Sequence, residues 1–174
     1  NTKATDPSKS AVSGEVTTLP TDVPPDALPV ERTDDEVYAD YLSDLYAKLQ
    51  ILVIDDTHMD GFDLREGMIG VYEIALQSRI EIMSKVGYAI IDINSDGTKE
   101  LLLCEVDEFT KESCIGTRIL CAYTVSDGEP VLLFEGGYRN SYYLLDDMRL
   151  FNEGAESAAK SGFGCFELTG SEAA

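Results

Sequence analysis

The chain has 174 residues, with 33 Asp and Glu against 13 Lys and Arg, a formal net charge of −20 and a pI near 4.1. That charge excludes most nucleic-acid binding, which requires a basic footprint to displace counterions, and an anionic membrane surface repels the chain for the same reason. The length allows one globular domain with a tail, and no apolar run approaches the ~20 residues of a membrane-spanning helix.

The averages hide two regions. Residues 1–33 hold 14 Ser, Thr and Pro and no aromatic, a composition too poor in apolar side chains to offset the entropy of ordering its backbone. This segment reads as a tether. It carries −2 of the charge, so −18 falls on residues 34–174 together with all 15 aromatics. The first residue is Asn1. A Ser/Thr/Pro spacer at a processed N-terminus is what an exported protein shows between a membrane anchor and its domain; the alternative is an arbitrary start within the linker of a cytosolic protein.

The domain opens on Thr33-Asp-Asp-Glu36, a capping box in which Thr and Glu satisfy orphan N–H groups reciprocally. Val37, Tyr38, Tyr41, Leu42, Leu45, Tyr46 and Leu49 then recur at helical spacing, with Asp40, Ser43, Asp44 and Lys48 opposite, which predicts an amphipathic helix over about 34–50. An acidic connection, Asp55 to Asp63, leads to a second box-like start at Asp63–Glu66. Met68–Leu76 is apolar nearly all round and predicts a buried helix, where Gly67 and Gly70 allow close packing. Ser78–Glu81 is a third box-like start, opening a short helical turn that ends near Lys85-Val86-Gly87.

The period then changes to two. Residues 88–93, 100–106, 117–125, 131–135, 141–145, 149–152 and 163–168 read as short strands. Asp127-Gly128 between two of them is a strong type I′ hairpin signal, and Asp146-Asp147 a weaker one. Helices over about 34–86 followed by consecutive strands over about 88–168 predict a single α+β domain, an antiparallel meander with helices against one face.

Cys104, Cys114, Cys121 and Cys165 make an even count with no CxxC spacing, so neither a zinc ribbon nor a redox motif is present. Cys104 and Cys121 lie in apolar alternating runs, compatible with buried thiols or with a bridge.

The sharpest motif is Asp92-Ile-Asn94-Ser-Asp96-Gly-Thr98-Lys-Glu100. Oxygen side chains at positions 1, 3, 5 and 9, a carbonyl at position 7 (Thr98) and Gly at position 6 are the ligand spacing of a Ca²⁺ loop. Leu103 stands where an EF-hand has its bidentate Glu, and the loop lies between strands. It looks more like the strand–loop–strand calcium loops of integrin-type repeats. The same Asx and Gly residues also build metal-free turns, and that alternative stays open. With four side-chain ligands the expected affinity is weak, on the order of 10⁻⁴–10⁻³ M. A second echo, Asp56-Thr-His58-Met-Asp60-Gly-Phe-Asp63, has the ligand types of a transition-metal site or of a solvated acidic loop capping the next helix. His58 is the only histidine, no nucleophile stands in a recognisable elbow, and HExxH, P-loop and GxGxxG motifs are absent. Arg139 among Tyr142 and Tyr143 reads either as a ligand surface or as an Arg paired with an acid across the sheet.

Residues 86–103, the run Gly136-Gly-Tyr-Arg-Asn-Ser-Tyr-Tyr-Leu144, and Phe151–Ala159 with the aromatic strand after it resemble segments of uncharacterised extracytoplasmic lipoproteins of Gram-positive gut bacteria. The resemblance implies export, a lipid anchor preceding the chain as the sole membrane attachment, and a calcium-loop-like hairpin; it implies no reaction. Asp147, where such a turn usually has Gly, and the four cysteines depart from that pattern. The functional expectation is therefore a surface-tethered or secreted, non-enzymatic binding domain for an extracellular ligand, with a structural Ca²⁺. The alternatives are a secreted hydrolase using paired carboxylates on a cell-wall or dietary polymer, and a module that binds partners along a sheet edge.

Overall fold

The computed structural model describes residues 32–54, 67–106, 114–157 and 160–169. The expected tether, up to residue 31, and the acidic connection with His58 and its Asp63–Glu66 start lie outside the described residues. The chain divides into Asn1–Val30 and Glu31–Ala174, and all that is described belongs to the second unit.

Helix α1 spans Asp34–Ile54 and begins with the predicted box: the Thr33 N–H donates to Glu36 Oε2 (2.9 Å) and the Glu36 N–H to Thr33 Oγ1 (3.4 Å). Three acids, Asp34, Asp35 and Glu36, occupy its first turn, where the helix dipole favours negative charge. It runs past the predicted end near residue 50 because Leu52 extends the buried line of Val37, Tyr38, Leu45 and Leu49. Its last turn has no basic residue of its own, and Arg79 from the following segment supplies the cation, donating to Leu52 O (2.8 Å) and Val53 O (3.0 Å). Tyr46, expected on the buried stripe, is 54% exposed, because the contact line through Leu45, Leu49 and Leu52 leaves it on the flank.

Helix α2 (Ile69–Ser78) buries Val71, Ile74 and Ala75, while Leu76 and Ile69 face out, so it is covered on one side rather than all round. Gly70 lies directly on strand residue Leu120: a Cβ there would sit 3.1 Å from the Leu120 Cβ, which is why the helix approaches so closely. The third expected capping box does not form. Ser78 makes no side-chain cap bond; a 3-10 turn (Arg79–Glu81) joins α2 to the short α3 (Ile82–Lys85).

All seven predicted strands are present: β1 (Val86–Ile91), β2 (Glu100–Glu105), β3 (Arg118–Ser126), β4 (Glu129–Glu135), β5 (Asn140–Leu144), β6 (Leu150–Ser157) and β7 (Lys160–Phe166). They form one antiparallel sheet in the order β1-β2-β3-β5-β6-β7, with β4 also on β3. β4 and β5 share one side of β3, pairing with Cys121–Ser126 and with Arg118–Ile119. Between them the chain leaves the sheet in a tight excursion closed by reciprocal Gly137–Asn140 backbone bonds of 2.8 and 3.0 Å. The β3–β4 turn has positive φ at both Asp127 (53°) and Gly128 (77°), as type I′ geometry requires. In the β5–β6 turn the left-handed residue is Met148 (φ 64°), not Asp147, whose carboxylate instead accepts from the Arg149 N–H (3.2 Å) and Nε (2.7 Å).

Alternation along the strands makes two apolar layers. Leu101, Leu103, Cys121 and Tyr123 pack with the helices through Tyr38, Leu49, Leu52, Val71 and Ile82. Leu102, Cys104, Ile119, Ala122, Leu133, Leu144 and Leu150 form a second cluster with Ile93, on the face away from the helices. No helix among the described residues is long and apolar enough to cross a membrane.

Candidate functional site

The Asp92–Glu100 motif is the connection of the β1–β2 hairpin, whose last pair is Ile91 with Glu100. Ser95 (φ 60°) and Gly97 (φ 94°) take left-handed conformations that curl the chain around the side chains of the first loop residues. Asp92 lies at the centre: Oδ1 accepts from the Asp96 N–H (3.2 Å) and Oδ2 from the Gly97 N–H (3.0 Å). Asn94 Oδ1 also takes the Asp96 N–H (3.1 Å), while its Nδ2 donates to Asp96 Oδ2 (2.9 Å). Asp96 Oδ1 accepts from the Thr98 N–H (2.8 Å). That backbone bond, with help from the Asn94 amide and Thr98 hydroxyl, holds the Asp96 carboxyl below the usual carboxylate range. Each of these oxygens accepts an N–H bond and keeps acceptor capacity beyond it.

Glu100 is different in kind. Alternation places it with Leu102 and Cys104 on the face away from the helices, where Ile93 folds over it, and its relative exposure is 0%. Oε2 accepts from the Ile93 N–H (2.9 Å), tying the carboxylate to the loop. Oε1 is buried with no hydrogen-bond partner among the described residues. Burial pushes the carboxyl up to about 7 against the opposing pull of the Ile93 N–H, and the nearby Asp96 and Asp92 charges push the same way. A buried carboxylate oxygen without a donor is costly, and metal coordination is one of the few arrangements that satisfy it. Among the described residues no three His, Cys, Asp or Glu groups form a ready metal cluster. The donor set of the loop is of the hard-oxygen kind, with an amide (Asn94) and a carbonyl (Thr98) beside its three acids.

Of Arg139, Tyr142 and Tyr143, the two tyrosines are adjacent on β5 and face opposite sides of the sheet. Arg139 sits at the exposed tip of the Gly137–Asn140 excursion, outside any strand, and its carbonyl accepts from the Ala155 N–H (2.7 Å). Tyr142 stacks against Phe134 (centroids 4.5 Å) and meets Phe166 edge-on (6.1 Å), and its hydroxyl accepts from Asn140 Nδ2 (2.9 Å). Tyr143, one residue on, points to the opposite face and neighbours Phe151, which in turn neighbours Phe163.

The arginine that does organise carboxylates is Arg118. It donates to Glu73 Oε2 (2.8 Å) from α2 and to Glu105 Oε2 (3.1 Å) from β2, while Glu73 Oε1 accepts from the Tyr138 N–H (2.6 Å). Glu73 is buried, so this network pins α2 to the sheet and to the Gly137–Asn140 excursion. Its acids are separated by more than thirty positions in the chain, and no local spacing in the sequence announces the pair.

All four cysteines are free thiols. Burial pushes Cys104 and Cys121 up to about 12, Cys114 is partly covered and Cys165 is exposed on β7.

In comparison with known proteins, no family model, curated protein or solved structure matches the chain.

Proposed function

We propose that the chain is a non-enzymatic interaction domain, held outside the cytoplasm by its N-terminal tether, whose β1–β2 loop binds a structural Ca²⁺. Asp92, Asn94, Asp96, the Thr98 carbonyl and Glu100 are the ligands. The observation that carries this reading is Glu100: a fully buried carboxylate, bonded to the loop through one oxygen and unpartnered at the other, standing at position 9 of the ligand spacing. The Ser/Thr/Pro-rich segment before residue 34 and the resemblance to exported lipoproteins support an extracytoplasmic setting, where a loop of millimolar affinity would be occupied.

The test is thermal unfolding and calorimetric titration with Ca²⁺ and with a chelator. A dissociation constant of ~10⁻⁴–10⁻³ M gives about 1.4–2.7 kcal/mol of native-state stabilisation at ~10 mM Ca²⁺. For a domain of this size that raises Tm by roughly 4–10 °C. An unchanged Tm with no heat of binding removes the calcium claim.

A further inference from the structure

Lys99, between two proposed ligands, is held at its N–H, its carbonyl and its ammonium by residues among the first five of α1. Its N–H donates to Asp34 Oδ2 (2.9 Å). Its carbonyl accepts from the Tyr38 hydroxyl (2.8 Å), which also reaches Tyr123 O (3.1 Å). Its ammonium lies 3.1 and 2.9 Å from the two Asp35 carboxylate oxygens. Three residues from the start of α1 thus hold a single loop residue more than sixty positions away. The Lys99–Asp35 pair is solvent-exposed and contributes little by itself. Tyr38 is fully buried, so its hydroxyl has no water as an alternative partner, while the bond to Lys99 is part-buried.

From this arrangement we infer that Ca²⁺ in the loop and the docking of the first turn of α1 are coupled, so that the cation acts as a latch on the N-terminal helix. The inference rests on the calcium reading above and adds what the site controls. The peptide unit joining Thr98 to Lys99 carries both functions: its C=O is the position-7 ligand and its N–H is the donor to Asp34. No cis bond is present among the described residues, so the two dipole ends point in opposite directions, one to each partner. A cation drawing on the carbonyl polarises the amide and strengthens its hydrogen bond to the Asp34 carboxylate. The next residue, Glu100, faces the opposite side of the sheet, so the strand start is clamped from both faces when the cation is present. Linkage makes the effect reciprocal: the factor by which the cation favours the docked helix is the factor by which docking favours the cation, so loosening α1 from Lys99 weakens cation binding.

Two measurements on the full chain test this, with CaCl₂ as the probe and chelator as the reference. Hydrogen exchange on the unmodified protein is expected to show amides of residues 37–42 slowed about fivefold or more by Ca²⁺, as a coupling in the usual allosteric range requires. Tyr38→Phe, which removes one loop contact without changing charge or touching a ligand, is expected to weaken the calorimetric Ca²⁺ affinity by about fivefold. Unchanged exchange over 37–42 on saturation by Ca²⁺ overturns the latch while leaving the calcium site standing. A Tyr38→Phe affinity equal to that of the parent does the same. Absence of any Ca²⁺ binding by the parent chain overturns both. Should Tyr38→Phe fail to fold, the exchange measurement on the parent still decides.

Discussion

Glu100→Gln tests the proposed calcium loop, in which the same side chain would be a burden without metal and a ligand with it. Burial raises the Glu100 carboxyl from an ordinary 4.5 to about 7. The folded chain therefore binds this proton more tightly than the unfolded chain. The associated stability is complete below pH 4.5 and is lost as pH rises through 7. A displacement of this size is worth about 3 kcal/mol between pH 4 and pH 8, most of it lost between pH 5 and pH 7. In chelator, urea unfolding of the parent chain is expected to show that loss. Glu100→Gln keeps an oxygen for the Ile93 N–H and has no charge to titrate, so its stability lacks this component. Other carboxylates, such as Asp96 and Glu36, have lowered pKa values and slope the opposite way at acid pH, but they are common to both proteins. The difference between the two curves isolates Glu100.

Adding Ca²⁺ at pH 8 reverses the comparison. If the loop binds Ca²⁺ as proposed, the parent is expected to gain stability by satisfying Oε1, whereas the glutamine variant lacks the negative ligand and is expected to gain little. The expected pattern is a difference curve that changes by about 3 kcal/mol over pH 4–8 in chelator, and a Ca²⁺ response present only in the parent. A difference curve flat to within about 0.5 kcal/mol across that range refutes the account of Glu100, since an ordinary exposed carboxylate behaves that way.

Further expectations concern the frame of the site. Glu73→Gln leaves the partly buried Arg118 with a weakened partner and removes a charge-assisted bond to the Tyr138 N–H; it should cost about 3 kcal/mol in urea unfolding, whereas Arg118→Met with Glu73→Gln together should cost less than the sum of the single changes. At pH 8 a thiol reagent should modify Cys165 at once and Cys104 and Cys121 only on unfolding, because thiols raised to about 12 are almost wholly protonated; liquid chromatography with mass spectrometry of the labelled peptides reads the order. Gly136→Ala brings a Cβ to 2.7 Å from the Ile119 carbonyl oxygen, a backbone atom that cannot move aside alone, and a loss of roughly 2 kcal/mol or more in unfolding free energy is expected.

What could be read from the sequence is what short-range physics determines. The Thr33–Glu36 box, the helical stripe after it, seven alternating runs and the Asp127-Gly128 turn each depend on residues within a few positions of one another, and each is present. Where the local pattern was ambiguous, tertiary packing decided. Ser78–Glu81 has the letters of a capping box, yet the chain there continues through a 3-10 turn, and Arg79 is committed to the end of α1. The positive φ of the β5–β6 turn falls on Met148, although Asp147 tolerates that conformation better in isolation, because the Asp147 carboxylate is engaged with Arg149. The split of one β3 edge between β4 and β5 depends on Gly136, where a side chain would strike the Ile119 carbonyl, and no repeat or spacing signals that division.

The candidate loop shows the same boundary within nine residues. Spacing alone named Asp92, Asn94, Asp96, Thr98 and Glu100, but it assigned them equivalent roles as oxygen donors. The fold distinguishes them. Asp92, Asn94 and Asp96 are already engaged by the loop's own N–H groups, and such bonds are made equally well by a turn without metal. Only Glu100 sits where the hairpin closes against the second apolar cluster, so only there does folding bury a carboxylate oxygen and leave it without a donor. Lys99, a loop residue with no ligand role, is the one that α1 seizes. A turn that merely reversed the chain would need neither the buried acid nor the grip on its neighbour. Both follow if the loop's conformation is set by a cation and transmitted to the helix.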